Sequence, residues 1–87
     1  MPVMVEGDVR RKLREFVART SGKVSAEEIA DDTPILERRL ITSLQVTDLL
    51  LYLEELSGRA IDARTLRPGV FRSVDAIWRS FFAAEGA

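Results

Sequence analysis

The run from Thr42 to Gly58 constrains this chain more than any other stretch. It is rich in leucine, carries no proline or internal glycine, and opens on a helix-start signature. Thr42 followed three residues on by Gln45 is a capping box. The threonine hydroxyl can accept from the Gln45 amide, and the glutamine side chain can accept from the Thr42 amide. Ile41 and Val46 can close around it as a hydrophobic staple. The pattern predicts a helix from Ser43 to about Leu56, ended by Gly58. Leu44, Leu49, Leu50, Leu53 and Leu56 are its buried candidates, with Leu51 and Tyr52 partly buried. Asp48, Glu54 and Glu55 are its charged positions. Apolar residues surround so much of this helix that it is expected to be the central one.

The flanking segments carry the same period. Val9, Leu13, Phe16 and Val17 predict a first helix, with Asp8 as its cap and Gly22 as its stop. Arg10, Arg11, Lys12 and Arg14 fill its other faces and read as a solvated surface. Ser25 to Glu28 is a second capping box, with Val24 and Ile29 as staple, cut short by Asp31-Asp32-Thr33-Pro34. Residues 31–41 form a long connection that Ile35, Leu36 and Leu40 should pin to the core. Asp62 caps a short third helix over residues 63–66, which Pro68-Gly69 ends. Ser73 caps a last helix with Val74, Ile77, Trp78 and Phe81 on one face. Val70 and Phe71 plug the core before it, and residues after Ala84 fray. No strand-like alternation of useful length occurs. The expected fold is all-α: a four-helix bundle with a long loop between helices 1 and 2 and a short third helix. One domain should span residues 1–87, with an ordered core over about 5–84.

Composition narrows the chemistry. The chain has no cysteine and no histidine, so it lacks thiolate ligands, disulfides and the usual general base. No stretch approaches a membrane span or a secretory leader. The expected location is the cytoplasm, with no membrane partner. Charge is uneven along the chain. Residues 1–23 carry six Lys/Arg against three acids, residues 24–58 two against eight, and residues 59–87 five against three. The acidic middle holds the Thr42-Ser43 helix start. That argues against general nucleic-acid binding by that helix and leaves open a basic protein partner.

Catalysis by this chain alone is hard to assemble from its residues. The carboxylate pairs Asp31/Asp32, Glu27/Glu28 and Glu54/Glu55 are sequence neighbours, and neighbours on a helix point apart. There is no glycine-rich phosphate loop and no metal-ligand spacing. What remains is a serine that receives chemistry from elsewhere. Ser43 is expected at the first helical position, pointing away from the packed body beside free amide donors. A phosphate there would meet the positive end of the helix dipole.

These residues resemble a family, the small acyl, aminoacyl and peptidyl carrier proteins. The family motif Asp-Ser-Leu at the start of the second helix reads Thr42-Ser43-Leu44 here. The likeness extends over Asp32-Thr33-Pro34-Ile35-Leu36, Leu40-Ile41, Leu49 to Glu55, Gly58, Ile61 and Phe71-Arg72-Ser73-Val74-Asp75-Ala76-Ile77, covering about residues 8–82. The resemblance implies a 4'-phosphopantetheine arm on Ser43 that holds a cargo as a thioester. It implies a carrier rather than an enzyme. Its partners would be a phosphopantetheinyl transferase, an acyl or amino acid:carrier protein ligase, and a downstream acyl-accepting enzyme. Thr42, Leu44, Asp48, Arg38 and Arg39 would face those partners.

Two departures from the family pattern shape the expectation. Thr42 replaces the aspartate before the serine, which keeps the cap but removes a negative charge. Arg38-Arg39 and the scarcity of acids on the Ser43 helix point away from primary fatty acid synthesis, toward dedicated partners of another biosynthetic pathway. The stretch from Thr33 to Val46 is similar to carriers served by aminoacyl-tRNA-synthetase-like amino acid ligases. It is also similar to carriers of glyceryl- or methoxymalonyl-type units. The chain is expected to be a discrete, monomeric carrier. The alternative is a non-covalent helical interaction module, an adaptor or regulator in which Ser43 only starts a helix. A helix-turn-helix DNA binder would want a basic recognition helix, which the chain does not offer.

Overall fold

The computed structural model describes residues 5–62, 64, 66 and 69–82. Among these, the chain forms three α-helices and one 3-10 turn, with no strand. They are α1 (Glu6–Ser21), the 3-10 turn Ala26–Glu28, α2 (Val46–Ser57) and α3 (Val74–Phe81). The all-α expectation holds. Residues 63 and 65 of the expected short third helix, Arg67 and the expected Pro68 stop lie outside the described residues, as do residues 83–87, on which the expected fraying falls. What is described there is local. The Asp62 carboxylate accepts from the Arg64 amide at 2.9 Å and from its guanidinium. Those guanidinium bonds, then the amide, hold the Asp62 carboxyl below its ordinary pKa.

α1 buries Val9, Leu13 and Val17 and half-buries Phe16. Its start differs from expectation. Val5 precedes the helix with no side-chain cap, and Asp8 lies inside the first turn. The chain is already helical from Glu6, so Asp8 and Glu6 act as first-turn acids that favour the dipole. Gly22 ends the helix at φ 67°, with its amide donating to the Ala18 carbonyl at 3.0 Å. Only a residue without Cβ takes that conformation freely.

The long connection is built into the core. Ile29, Ile35, Leu40 and Ile41 are buried, as is Thr33, whose hydroxyl accepts from the Ala30 amide at 2.8 Å. Glu28 accepts from the Ser25 amide at 3.4 Å, as the capping pattern expects. Two backbone bonds tie the connection to the α3 entry. The Ile35 amide donates to the Arg72 carbonyl at 2.9 Å, and the Asp75 amide donates to the Asp31 carbonyl at 2.8 Å.

α2 begins at Val46, three residues later than expected, because Ser43, Leu44 and Gln45 form a separate turn ahead of it. Leu49 and Leu53 are fully buried, and Leu50, Tyr52 and Leu56 pack partly against the core. Tyr52 stacks on Phe16 of α1 at 4.7 Å. Leu44, a buried candidate by its sequence position, is 89% exposed; Leu51 is 55% exposed. The helical period explains Leu51. At roughly 100° per residue it lies about 200° from both Leu49 and Leu53, on the far face. Leu44 falls on the preceding turn, outside the helix. Gly58 ends α2 at φ 73° with its amide on the Glu54 carbonyl at 2.9 Å.

α1, not α2, is the hub. Among the described elements, its backbone borders both α3 and the 3-10 turn. α3 buries Val74 and Ile77. Phe71 stacks on Phe81 at 5.7 Å, and Trp78 on Phe82 at 5.4 Å. Ser73 caps α3, accepting from the Ala76 amide at 3.1 Å. Ser73 is itself buried, so Ser73→Ala should destabilise by about 1 kcal/mol. A denaturant midpoint unchanged in that variant would show the cap to be idle.

The basic face of α1 is not uniformly solvated. Arg11 and Lys12 are exposed, but the Arg10 side chain is only 15% exposed. It donates to Glu6 at 2.8 Å, to Asp75 at 2.9 Å and to Asp31 at 3.1 Å, and lies 5.8 Å from the Trp78 ring centroid. Arg14 also donates to Asp31. Burial by itself lowers the Arg10 pKa. Bonds to Asp75 and Glu6 and the charge of Asp31 outweigh it and hold the group above its ordinary value. Arg10 therefore clamps the connection and α3 onto α1. No described helix is long and apolar enough to cross a membrane.

Candidate functional site

Two consecutive turns present Ser43. In the first, the Arg39 amide donates to the Leu36 carbonyl at 3.0 Å and the Leu40 amide to the Ile35 carbonyl at 2.9 Å. This is the hydrogen-bond pattern of a Schellman motif, with Ile35 and Leu40 as its buried hydrophobic pair. Its left-handed position is Arg39, at φ 59°, where glycine is usual. An L side chain there costs roughly 1–2 kcal/mol. Nothing in the sequence announces that conformation, since neither glycine nor asparagine occupies the position.

The second turn is the capping box read from the sequence. The Thr42 amide donates to the Gln45 side-chain oxygen at 2.9 Å, and the Gln45 amide to the Thr42 hydroxyl at 3.3 Å. The box closes a turn rather than the first turn of the regular helix. The Gln45 side-chain amide also reaches the Thr20 carbonyl of α1 at 3.5 Å, which ties the turn to the hub helix. Ile41 is fully buried and Val46 half-buried against the core, as the staple requires. Anchored on both sides, the turn exposes Thr42, Ser43 and Leu44. Ser43 Oγ has no hydrogen-bond partner among the described residues.

Arg39, Thr42 and Ser43 share a groove of about 350 Å³ with Leu36 and Ile41. The sequence marks Leu36 as a loop anchor and Ile41 as half of the staple; their second role as groove walls comes from the turn geometry. Arg38 is exposed but does not line the groove, and Asp48 is exposed in the first turn of α2. The structure thus brings Arg39 and Thr42 to Ser43, sets Leu44 beside it, and leaves Arg38 and Asp48 apart from the groove.

Asp31 pairs with Arg10 and Arg14, and Glu54 accepts from the Ile61 amide at 2.6 Å. Glu27, Glu28, Asp32 and Glu55 are exposed. The described residues contain no cluster of three or more candidate metal ligands. A larger, more open depression of about 680 Å³ borders Glu6, Arg10, Asp31, Asp32 and Asp75 and is the mouth of the Arg10 ion-pair network. No family model matches the chain, and no curated protein matches it.

Proposed function

We propose that this chain is a carrier protein that bears a 4'-phosphopantetheine arm on Ser43. The arm's thiol holds an acyl or aminoacyl group as a thioester and delivers it to enzymes outside primary fatty acid synthesis. The observation that carries the reading is the exposed Ser43 hydroxyl, on a turn clamped between Ile41 and Gln45 just ahead of α2. A hydroxyl so placed can be modified by a transferase that brings its own base, which suits a chain without histidine. The proposal includes a short helix over residues 63–66, capped by Asp62, that completes a four-helix bundle. Thr42, Leu44 and Asp48 form the face toward the transferase, the ATP-using ligase and the acceptor enzyme. Arg38 and Arg39 add the basic character that selects dedicated partners.

Intact mass before and after incubation with coenzyme A and a broad-specificity phosphopantetheinyl transferase tests this reading. Wild type should gain one phosphopantetheine. Ser43→Ala should gain none while its unfolding free energy stays within about 0.5 kcal/mol of wild type, since the side chain is exposed. Folded wild-type protein that gains no mass with several transferases would remove the carrier reading. One observation favours a second reading, a non-covalent interaction module: Leu44 and Leu51 are large apolar side chains left in solvent. That reading expects a partner complex indifferent to Ser43→Ala and weakened by Leu44→Ala.

A further inference from the structure

We propose, resting on the reading that Ser43 carries the arm, that Arg39 binds the arm's phosphate. On this proposal, the groove over Leu36 and Ile41 seats the first part of the chain beyond it. The phosphate of such an arm is an anionic diester bonded to Ser43 Oγ. Its anchor residue already lines the groove, and so does Arg39. Arg39 has no ion pair among the described residues. Its acidic neighbour Glu37 lies instead 3.8 Å from Arg72. A guanidinium free of carboxylates offers a planar fork that matches phosphate oxygens.

The tether lowers the demand on affinity. A group attached at the groove's edge meets Arg39 at high effective concentration, so a weak contact is enough to bias the arm's path. The groove's volume of about 350 Å³ lies at the small end of small-ligand clefts. Its half-buried Leu36 and buried Ile41 are apolar, which suits the branched aliphatic segment that follows the phosphate in a pantetheine chain. The left-handed backbone at Arg39 fits this role. Glycine would close the Schellman turn with less strain, yet the position holds a cation on the groove that Ser43 shares. Arg38, one residue earlier, has ordinary backbone and stands outside the groove. The proposal makes Arg39 a positioning residue for the arm, distinct from the partner-facing side chains Leu44 and Asp48.

The test compares apo and holo protein with methyl-labelled leucine and isoleucine and nitrogen-labelled arginine. Holo protein is made with coenzyme A and a broad-specificity transferase, and conversion is verified by intact mass. Loading should shift the Leu36 and Ile41 methyl signals and the Arg39 side-chain N–H signal. Arg39→Gly suits the backbone at φ 59° and should fold with an equal or higher unfolding midpoint. In that variant the methyl shifts on loading should be lost. Full conversion by mass with Leu36, Ile41 and Arg39 signals unmoved would overturn the proposal and leave the carrier reading standing. So would methyl shifts of wild-type size in Arg39→Gly. Absence of any mass gain on folded wild type would overturn both together.

Discussion

Leu53→Ala should lose about 2–5 kcal/mol of unfolding free energy, measured by urea denaturation followed by circular dichroism. Leu53 has no exposed surface and sits in the cluster that includes Leu13, Ile35, Leu49 and Ile77. Truncation removes its transfer free energy and leaves a hole that the neighbours only partly fill. A chain of this size holds roughly 5–10 kcal/mol in total, so the variant stands near the edge of folding. Leu51, two residues earlier on the same helix, is 55% exposed. Leu51→Ala should change stability by less than about 0.5 kcal/mol. Equal losses in the two variants would mean that α2 does not present Leu49 and Leu53 to the core.

Arg10→Met is the second large effect, expected to destabilise by about 2 kcal/mol. Methionine keeps an apolar stem and removes the fork that reaches Glu6, Asp31 and Asp75. The figure is held below that of a fully buried pair. The Asp31 and Asp75 side chains remain 38% and 32% exposed and can recover solvent. Arg14 and Arg79 also stay with Asp31 and Asp75 respectively. A double-mutant cycle with Asp31→Asn should give a coupling of about 1 kcal/mol, shrinking at high salt. Arg11 is the contrast. Its contacts to Asp8 and Glu15 are 3.5 Å and 3.6 Å at an open surface, so Arg11→Ala should cost less than about 0.5 kcal/mol. If Arg10 and Arg11 behave alike, the clamp between α1, the connection and α3 is not energetically real.

Both variants act away from Ser43, yet the first bears on the site. The turn that exposes Ser43 hangs between Ile41, seated in the same core cluster as Leu53, and Gln45, bonded to the end of α1. A loosened core should therefore free the turn before the helices melt. Hydrogen exchange at the Gln45 and Val46 amides would report that opening.

Local rules make a large part of this legible. Gly22, Gly58 and Ser73 end or begin helices where their chemistry says they must, because αL freedom and a short side-chain acceptor act within one turn. The Thr42–Gln45 box is also readable, since both of its bonds lie within four residues. Its consequence is not. A capping box can close a turn that runs straight into a helix or one that stands ahead of it. The chain adopts the second, with Leu44 in solvent.

Arg10 shows the other limit. Its sequence neighbours Arg11 and Lys12 share its charge and differ from it in fate. Only the fold brings Asp31 and Asp75, far along the chain, to one face of α1. Likewise the left-handed Arg39 follows from Ile35 and Leu40 both being drawn into the core, which forces the chain between them to reverse. The sequence by itself determined the helical class, the glycine stops, the Ser73 cap, the buried Leu49 and Leu53 and the serine candidate, because each depends on interactions within a turn or two. The tertiary structure decided which arginine is a clamp, where α2 starts, which helix is the hub and what lines the groove beside Ser43. Those depend on contacts between residues distant in sequence, whose outcome is set by packing the whole chain at once.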